Sequence, residues 1–285
     1  MENRAQIVGS HLVNKRIAAM FAAGAVAAGL LAGCGTSSDD KPATNETTSS
    51  SADAAATSTT PPPAELPDVK IVEESAKTTE TMPSMHIALV VTDLPEFPLE
   101  SLNADVTNQP METGGQAAGS ARFRPTDDAE MTDTDFVVTG GKFYTKDASG
   151  KYQERGESKA VYDPAIILDK DLGLANVIRS VRNPKVEGRE DVDGVPTVKV
   201  TGTISSAVID PIMPTVGKDG GELPVTLWIV DVSPDEAPTT EIPQEEKSTG
   251  TGPNLVRIEV QKGDGKGEAT FSKWAEEVTI PNPTS

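Results

Sequence analysis

The strongest constraint on this chain is a period of two. In MHIALVV (residues 85–91), Met85, Ile87, Leu89 and Val91 alternate with His86, Ala88 and Val90, so an extended backbone sends the bulkier set to one face. The pattern returns in TDFVVTGGKFYTK (134–146), where Phe136 and Val138 share a face, Gly140-Gly141 makes a turn and a return strand passes through Phe143. EGREDVDGVPTVKVTGTI (187–204) reads as a hairpin. Its Asp193-Gly194 favours a primed turn, after which Val198, Val200 and Ile204 alternate with Lys199, Thr201 and Thr203. LPVTLWIVDV (223–232), NLVRIEVQ (254–261) and EATFSKW (268–274) complete the series. Such segments build an antiparallel sheet with one apolar and one wetted face.

Helical signals are fewer. LPDVKIVEESAKTTE (66–80) places Val69, Val72 and Ala76 on one side. Asp163-Pro164 opens DPAIIL as an N-cap followed by a first-turn proline, and GLANVIRSV sets Leu174, Val177, Ile178 and Val181 at i, i+3, i+4 and i+7, a helical stripe. SSAVIDPIM (205–213) is a weaker candidate, cut by Pro211 and Pro214. The acidic, proline-rich segment 233–253 reads as a surface loop. The chain is long enough for one sizeable core after its N-terminal segments are set aside.

Those segments have a different chemistry. Arg4, Lys15 and Arg16 precede IAAMFAAGAVAAGLL (17–31), an apolar run of secretory rather than membrane-spanning length. It closes on Leu31-Ala32-Gly33-Cys34, around the one cysteine of the chain. That tetrad is similar to a bacterial lipobox, which implies a diacylglycerol or palmitoyl-bearing Cys34 at the start of a mature chain. The next stretch, rich in Ser, Thr, Ala and Pro, cannot bury enough surface to offset its ordering entropy and reads as a flexible tether. The organisation expected is therefore a signal peptide over 1–33, an acylated tether over 34–66 and a folded domain over 67–285. The protein is expected to be exported and held by lipid at the outer face of the plasma membrane.

Charge and side-chain chemistry narrow the function. The formal charge is −19, which argues against nucleic acid as a partner and against electrostatic adhesion to anionic headgroups. Once Cys34 is acylated, the mature chain keeps His86 as its one histidine, expected on a solvent-facing strand position. There is no HExxH and no CxxC, so no usual zinc site. KGDGKGE (262–268) lies between two strands and reads as a hairpin turn rather than a phosphate cradle, and DASGKY (147–152) lacks the glycine and hydroxyl of a P-loop. The expectation is a protein that is not an enzyme and has no cofactor. A carboxylate-dependent envelope hydrolase stays open as an alternative, because abundant Asp and Glu neither support nor exclude a placed pair.

SLNADVTNQP (101–110), DFVVTGGKFY (135–144), the run from VYDPAIIL to VTGTIS (161–205), PVTLWI (224–229) and SKWAEEVTI (272–280) together resemble the actinobacterial LppX/LprA/LprF/LprG lipoprotein family, most of all its LprG branch. The resemblance implies an α+β domain: a strongly curved antiparallel half-barrel with helices on its concave face, enclosing an apolar cavity. It implies a periplasmic lipid-binding carrier for acylated lipids and glycolipids such as phosphatidylinositol mannosides, lipomannan, lipoarabinomannan or triacylglycerol. A major-facilitator efflux transporter is the partner it implies. An interaction lipoprotein whose cavity is vestigial is the competing reading.

Alternation, rather than any family motif, nominates the cavity lining: Ile87, Leu89 and Val91, Phe136 and Val138, Val198 and Val200, and the stripe Leu174, Val177 and Ile178. The same residues packed on one another would make an ordinary core. Ala121, in GSARFR, falls where the family has a strand near the cavity opening. There the chain departs from the family, since Pro125 and the acidic TDDAEMTDTD replace a more apolar alternation. The departure bears on mouth shape and ligand range.

Overall fold

A computed structural model describes residues 65–110, 115–124, 129–161, 163–218, 220–232 and 248–284. Eleven strands follow in order: β1 (Ser84–Thr92), β2 (Leu99–Thr107), β3 (Gln116–Phe123), β4 (Thr132–Thr139), β5 (Lys142–Lys146) and β6 (Tyr152–Glu157), then β7 (Arg182–Val192), β8 (Val195–Ser205), β9 (Glu222–Val230), β10 (Leu255–Lys262) and β11 (Gly265–Ser272). They form one antiparallel sheet in the order β6-β5-β4-β3-β2-β1-β11-β10-β9-β8-β7. Two meanders are thus fused where β1 pairs with β11. The expected turns form as the residues demand: Gly140-Gly141 (φ 58° and 71°) and Asp193-Gly194 (φ 53° and 85°) both put two consecutive residues in the left-handed region, as a primed hairpin turn requires.

The apolar alternation becomes a continuous inner face. One cross-strand row runs Val200, Leu227, Ile258, Ala269, Leu89, Leu102, Ala121 and Thr134, each directly opposite the next. Its members up to Ala121 are buried, and each large aliphatic side chain so buried contributes about 1.5–3 kcal/mol. Beyond Ala121 the row turns polar. The core itself continues on β4 and β5 through Phe136, Val138 and Phe143.

Helices cover that inner face, completing an open α+β half-barrel. Helix α1 (Lys70–Glu80) buries Ile71, Val72 and Ala76. Val69, expected on its apolar side, is the exposed N-cap. The short α2 (Ser158–Val161) follows β6, and DPAIIL forms a 3₁₀ helix, Pro164–Leu168, rather than an α-helix. Asp163 caps it as expected, accepting from the Ala165 N–H at 3.0 Å. Burial pushes the Asp163 carboxyl up, and the Ser158 hydroxyl and Ala165 N–H partly offset this. Helix α3 (Leu174–Arg179) buries Leu174, Ala175, Val177 and Ile178 and packs on α1. The weak 205–213 signal condenses to α4 (Ser206–Ile209).

Three strands lay outside the alternation. In β2 a register shift between Leu99 and Ser101 inserts a residue, so the buried Leu99 and Leu102 stand three apart and the period of two is broken. In β3 the inner face is Ala117, Gly119 and Ala121, with no bulk to mark it. Strand β6, an edge, has no fully buried residue. The outer face carries a smaller cluster around Trp228, Val192 and Val256. There Lys199 and Arg257 lie 5.1 and 5.6 Å from the Trp228 ring, and its Nε1 donates to Glu190. The sheet, its helices and both clusters belong to one compact unit, residues 60–285.

Gly119 marks the tightest approach in the sheet. A Cβ there would stand 2.1 Å from the Asn103 carbonyl oxygen and 2.6 Å from the Ala104 Cα, both backbone atoms of the neighbouring strand. No rotamer change relieves that contact. Gly119→Ala is expected to cost upwards of about 2 kcal/mol in urea denaturation, at the high end of overpacking effects, with hydrogen-exchange protection lost first in β2 and β3.

Candidate functional site

At the end of the sheet where β1, β3 and β5 finish and β2 and β4 begin, an open groove of about 1500 Å³ is cut. That exceeds the usual range of compact small-molecule sites, roughly 300–1,000 Å³. Its apolar wall is made by Leu89, Leu99, Leu102, Ala121 and three phenylalanines, Phe123, Phe136 and Phe143. The chain has six phenylalanines in all, so half of them gather here. Phe136 and Phe143 stack with ring centres 5.6 Å apart, and Phe123 meets Phe143 edge-on at 6.4 Å. Outer-face residues such as Ala88, Ser101 and Asn103 also line it, so the groove opens over the end of the sheet.

The polar rim is more basic than the chain as a whole. Arg122, Arg124, Lys146 and Arg155 line it against Asp133, Asp135 and Asp147. Arg122 is neutralised by Asp133 (2.9 Å) and Glu100 (3.2 Å), and Lys146 by Asp135 (3.1 Å). Asp147 is occupied by its own turn, accepting from the Ser149 hydroxyl and N–H, the Lys151 N–H and the Gln153 amide. Arg155 donates from Nε to the Thr145 hydroxyl at 2.6 Å. The Nε of Arg124 is buried and has no hydrogen-bond partner among the described residues.

A second space lies deeper, between helices and sheet. It holds only about 30 Å³, room for about one water. Its lining is entirely apolar, including Ile87, Ile167, Leu174, Ile212, Met213 and Phe271. Leu89 and Leu102, directly opposite each other on β1 and β2, line both this void and the groove. They are the partition between the two.

Of the residues nominated for a cavity lining, Leu89, Ala121 and Phe136 line the groove, and Ile87, Leu89 and Leu174 line the void. Val91, Val138, Val177, Ile178, Val198 and Val200 line neither and pack within the same core. Cys34 lies outside the described residues. Alternation could not find the arginines or Phe123, because their meaning depends on neighbours from other strands.

His86 sits on the outer face of β1, as expected, but half-buried, with Nδ1 2.6 Å from Asp105 Oδ1 on β2. Ser272 of β11 stands opposite His86 on its other side, giving an Asp-His-Ser order across three strands. None of the three lines the groove. Among the described residues, no group of three or more His, Cys, Asp or Glu is placed to hold a metal, and no helix is long and apolar enough to cross a membrane.

Comparison with known proteins adds relatives to this geometry. The LppX_LprAFG lipoprotein family model matches residues 68–280. The putative diacylated glycolipid transporter LprF of Mycobacterium tuberculosis is 45% identical over 214 residues, covering 75% of this chain and 77% of the relative. The lipoarabinomannan carrier protein LprG of Mycolicibacterium smegmatis is 28% identical over 273 residues, covering 94% and 97%. Identity is thus higher to LprF than to the LprG branch that the motifs suggested. The crystal structure of LprF from Mycobacterium bovis matches at 44% identity and TM-score 0.66, over 75% of this chain and 95% of that one. The M. tuberculosis lipoprotein LppX shares the fold at 23% identity and TM-score 0.50, over 75% and 100%.

The Asp147 turn fixes the groove's β5–β6 corner, and its hydrogen bonds hold that carboxyl well below its ordinary value of 3.8, at about 2. A depressed acid stabilises the fold fully above the unfolded value, and the contribution is lost as pH falls towards the folded one. Asp147→Ala is expected to lower the melting temperature at pH 7 and to flatten its decline between pH 4 and pH 2, measured by circular dichroism across that window.

Proposed function

We propose, from the premise that this chain belongs to the LppX_LprAFG lipoprotein family, that it is an envelope lipoprotein carrying acylated lipid in the groove and in the space behind Leu89 and Leu102. The single observation that carries this reading is the partition. An open groove walled by phenylalanines and a small apolar void behind it share Leu89 and Leu102 in their linings, so displacing these two side chains would join the two spaces.

The energetics favour a carrier without an energy source of its own. Each buried methylene contributes about 0.8 kcal/mol, so removing a two-chain lipid from a bilayer costs on the order of tens of kcal/mol. An apolar lining returns a similar amount, which leaves transfer between bilayer and protein close to neutral. Chain selectivity is loose in such a lining, because dispersion and burial are not directional. Headgroup choice falls to the rim.

LprF is named for a diacylated glycolipid and LprG for lipoarabinomannan. Acylated glycolipids of that kind, phosphatidylinositol mannosides and lipomannan among them, and triacylglycerol are the cargo classes proposed here. Acylation of Cys34 and a tether up to residue 66 would hold the domain at the outer face of the plasma membrane, within reach of a partner such as a major-facilitator efflux transporter. The small size of the inner void favours one competing reading, an interaction lipoprotein that acts through such a partner and carries no lipid.

Lipid occupancy separates the two. Native mass spectrometry of residues 60–285 is expected to show a co-purified acyl lipid, and Ala121→Trp, which fills the groove between Leu102 and Thr134, to cut occupancy at least about tenfold, the equivalent of 1.4 kcal/mol. A wild-type domain free of lipid after exposure to vesicles would overturn the carrier reading. Separately, Cys34→Ser is expected to prevent acylation, and so cleavage before residue 34, and to abolish labelling by radioactive palmitate in a bacterial host. Undiminished labelling would remove Cys34 as the anchor.

A further inference from the structure

We propose that Met213 is a displaceable plug seated in a notch left by Gly267, that the methyl end of an acyl chain takes its place, and that this pair sets the longest chain the protein accepts. The inference rests on the carrier reading and deepens it, naming the residues that fix chain length.

The argument starts from Gly267. It lies buried inside β11, where a glycine weakens a strand and calls for a reason. Its backbone is not the reason, because it is absent from the residues of positive φ. Its cross-strand partners are Val260 and Val91, and Val225 stands opposite Val260 in turn. All three valines are buried, so the row has a gap one side chain deep at Gly267. A Cβ there would stand 2.2 Å from the Met213 Cε and 3.0 Å from its Sδ, with no other contact within 4 Å. At Gly119 the neighbouring backbone excludes a side chain; at Gly267 the end of one flexible side chain does.

Met213 is built to move. Its main chain is fixed in the turn after α4, its N–H donating to the Ile209 carbonyl at 2.8 Å and its own carbonyl accepting from Val216 at 3.3 Å. Its side chain is unbranched, with three rotatable bonds. Among the residues lining the inner void it alone is both long and unbranched. That void holds about 30 Å³, too little for an acyl chain, so a chain enters only if the lining yields. Gly267 lies two residues along β11 from Ala269, the partner of Leu89, a step of about 7 Å. A chain passing Leu89 and Leu102 therefore meets the end of Met213 next. The exchange replaces one unbranched apolar segment by another in a wholly apolar lining, and leaves no polar group without a partner.

The test uses the full chain, purified from a bacterial host in detergent and loaded in mixed micelles. The micelles carry equal amounts of saturated phosphatidylinositols and galactosyl diacylglycerols of stepwise increasing chain length, and native mass spectrometry reads the length bound within each headgroup class. For the wild type, occupancy is expected to fall beyond a limiting length by about fourfold for each surplus methylene left without an apolar lining. Met213→Ala removes Cγ, Sδ and Cε and is expected to lengthen that limit by about two or three carbons. Gly267→Ala drives the Met213 end back into the void and is expected to shorten it. Val198→Ala, at a core residue that lines neither space, is expected to leave it unchanged. Should Met213→Ala fail to fold, Gly267→Ala decides alone, since its added methyl meets only a flexible side-chain end. A limit that Gly267→Ala does not shorten, one that a folded Met213→Ala does not lengthen, an equal lengthening in Val198→Ala, or no limit in the wild type overturns the plug while leaving the carrier reading intact. A wild type that loads no lipid of either class overturns the carrier reading itself.

Discussion

The pairing of β1 with β11 is the interaction on which the rest depends. Each meander alone would expose a long inner face; β1 and β11 join them in register, with Ile87 opposite Phe271 and Leu89 opposite Ala269. The row of apolar residues then runs unbroken from β8 to β3. Helices α1 and α3 pack on each other and against this face. Without the seam, the helices have no continuous floor. It brings the ends of the chain's folded region together, since β1 and β11 lie far apart in sequence, and loop-closure entropy makes that contact costly to form.

The seam also decides where space is left. Over β10, β11 and β1 the sheet is filled by bulky aliphatics and by Met213, which reaches over Gly267. On β3 the inner residues Ala117, Gly119 and Ala121 are small, beside the rings of Phe136 on β4 and Phe143 on β5. Small residues beside large rings make a groove for the same reason that Leu→Ala changes make cavities: neighbouring elements relax only partly into the missing volume. Leu89 and Leu102 stand at that boundary. A core this close-packed is expected to switch between discrete side-chain arrangements rather than deform smoothly, which makes a two-leucine gate a physically economical way into the interior.

Strands that were legible from the sequence are those whose two faces differ. Met85, Ile87, Leu89 and Val91 against His86, Ala88 and Val90 is a readable contrast, and β4 and β8 offer the same. Strand β2 hid because its bulge shifted the phase, β3 because its buried side chains are small, and β6 because it has no buried face. The site divided along the same line. Leu89 and Phe136 could be nominated from local pattern because burial is written in side-chain size, whereas Ala121 is nominated from the family resemblance. Whether an arginine has a carboxylate beside it is not a local property: Arg122 and Arg124 are two residues apart in one short segment, yet one is paired across to β4 and the other is not.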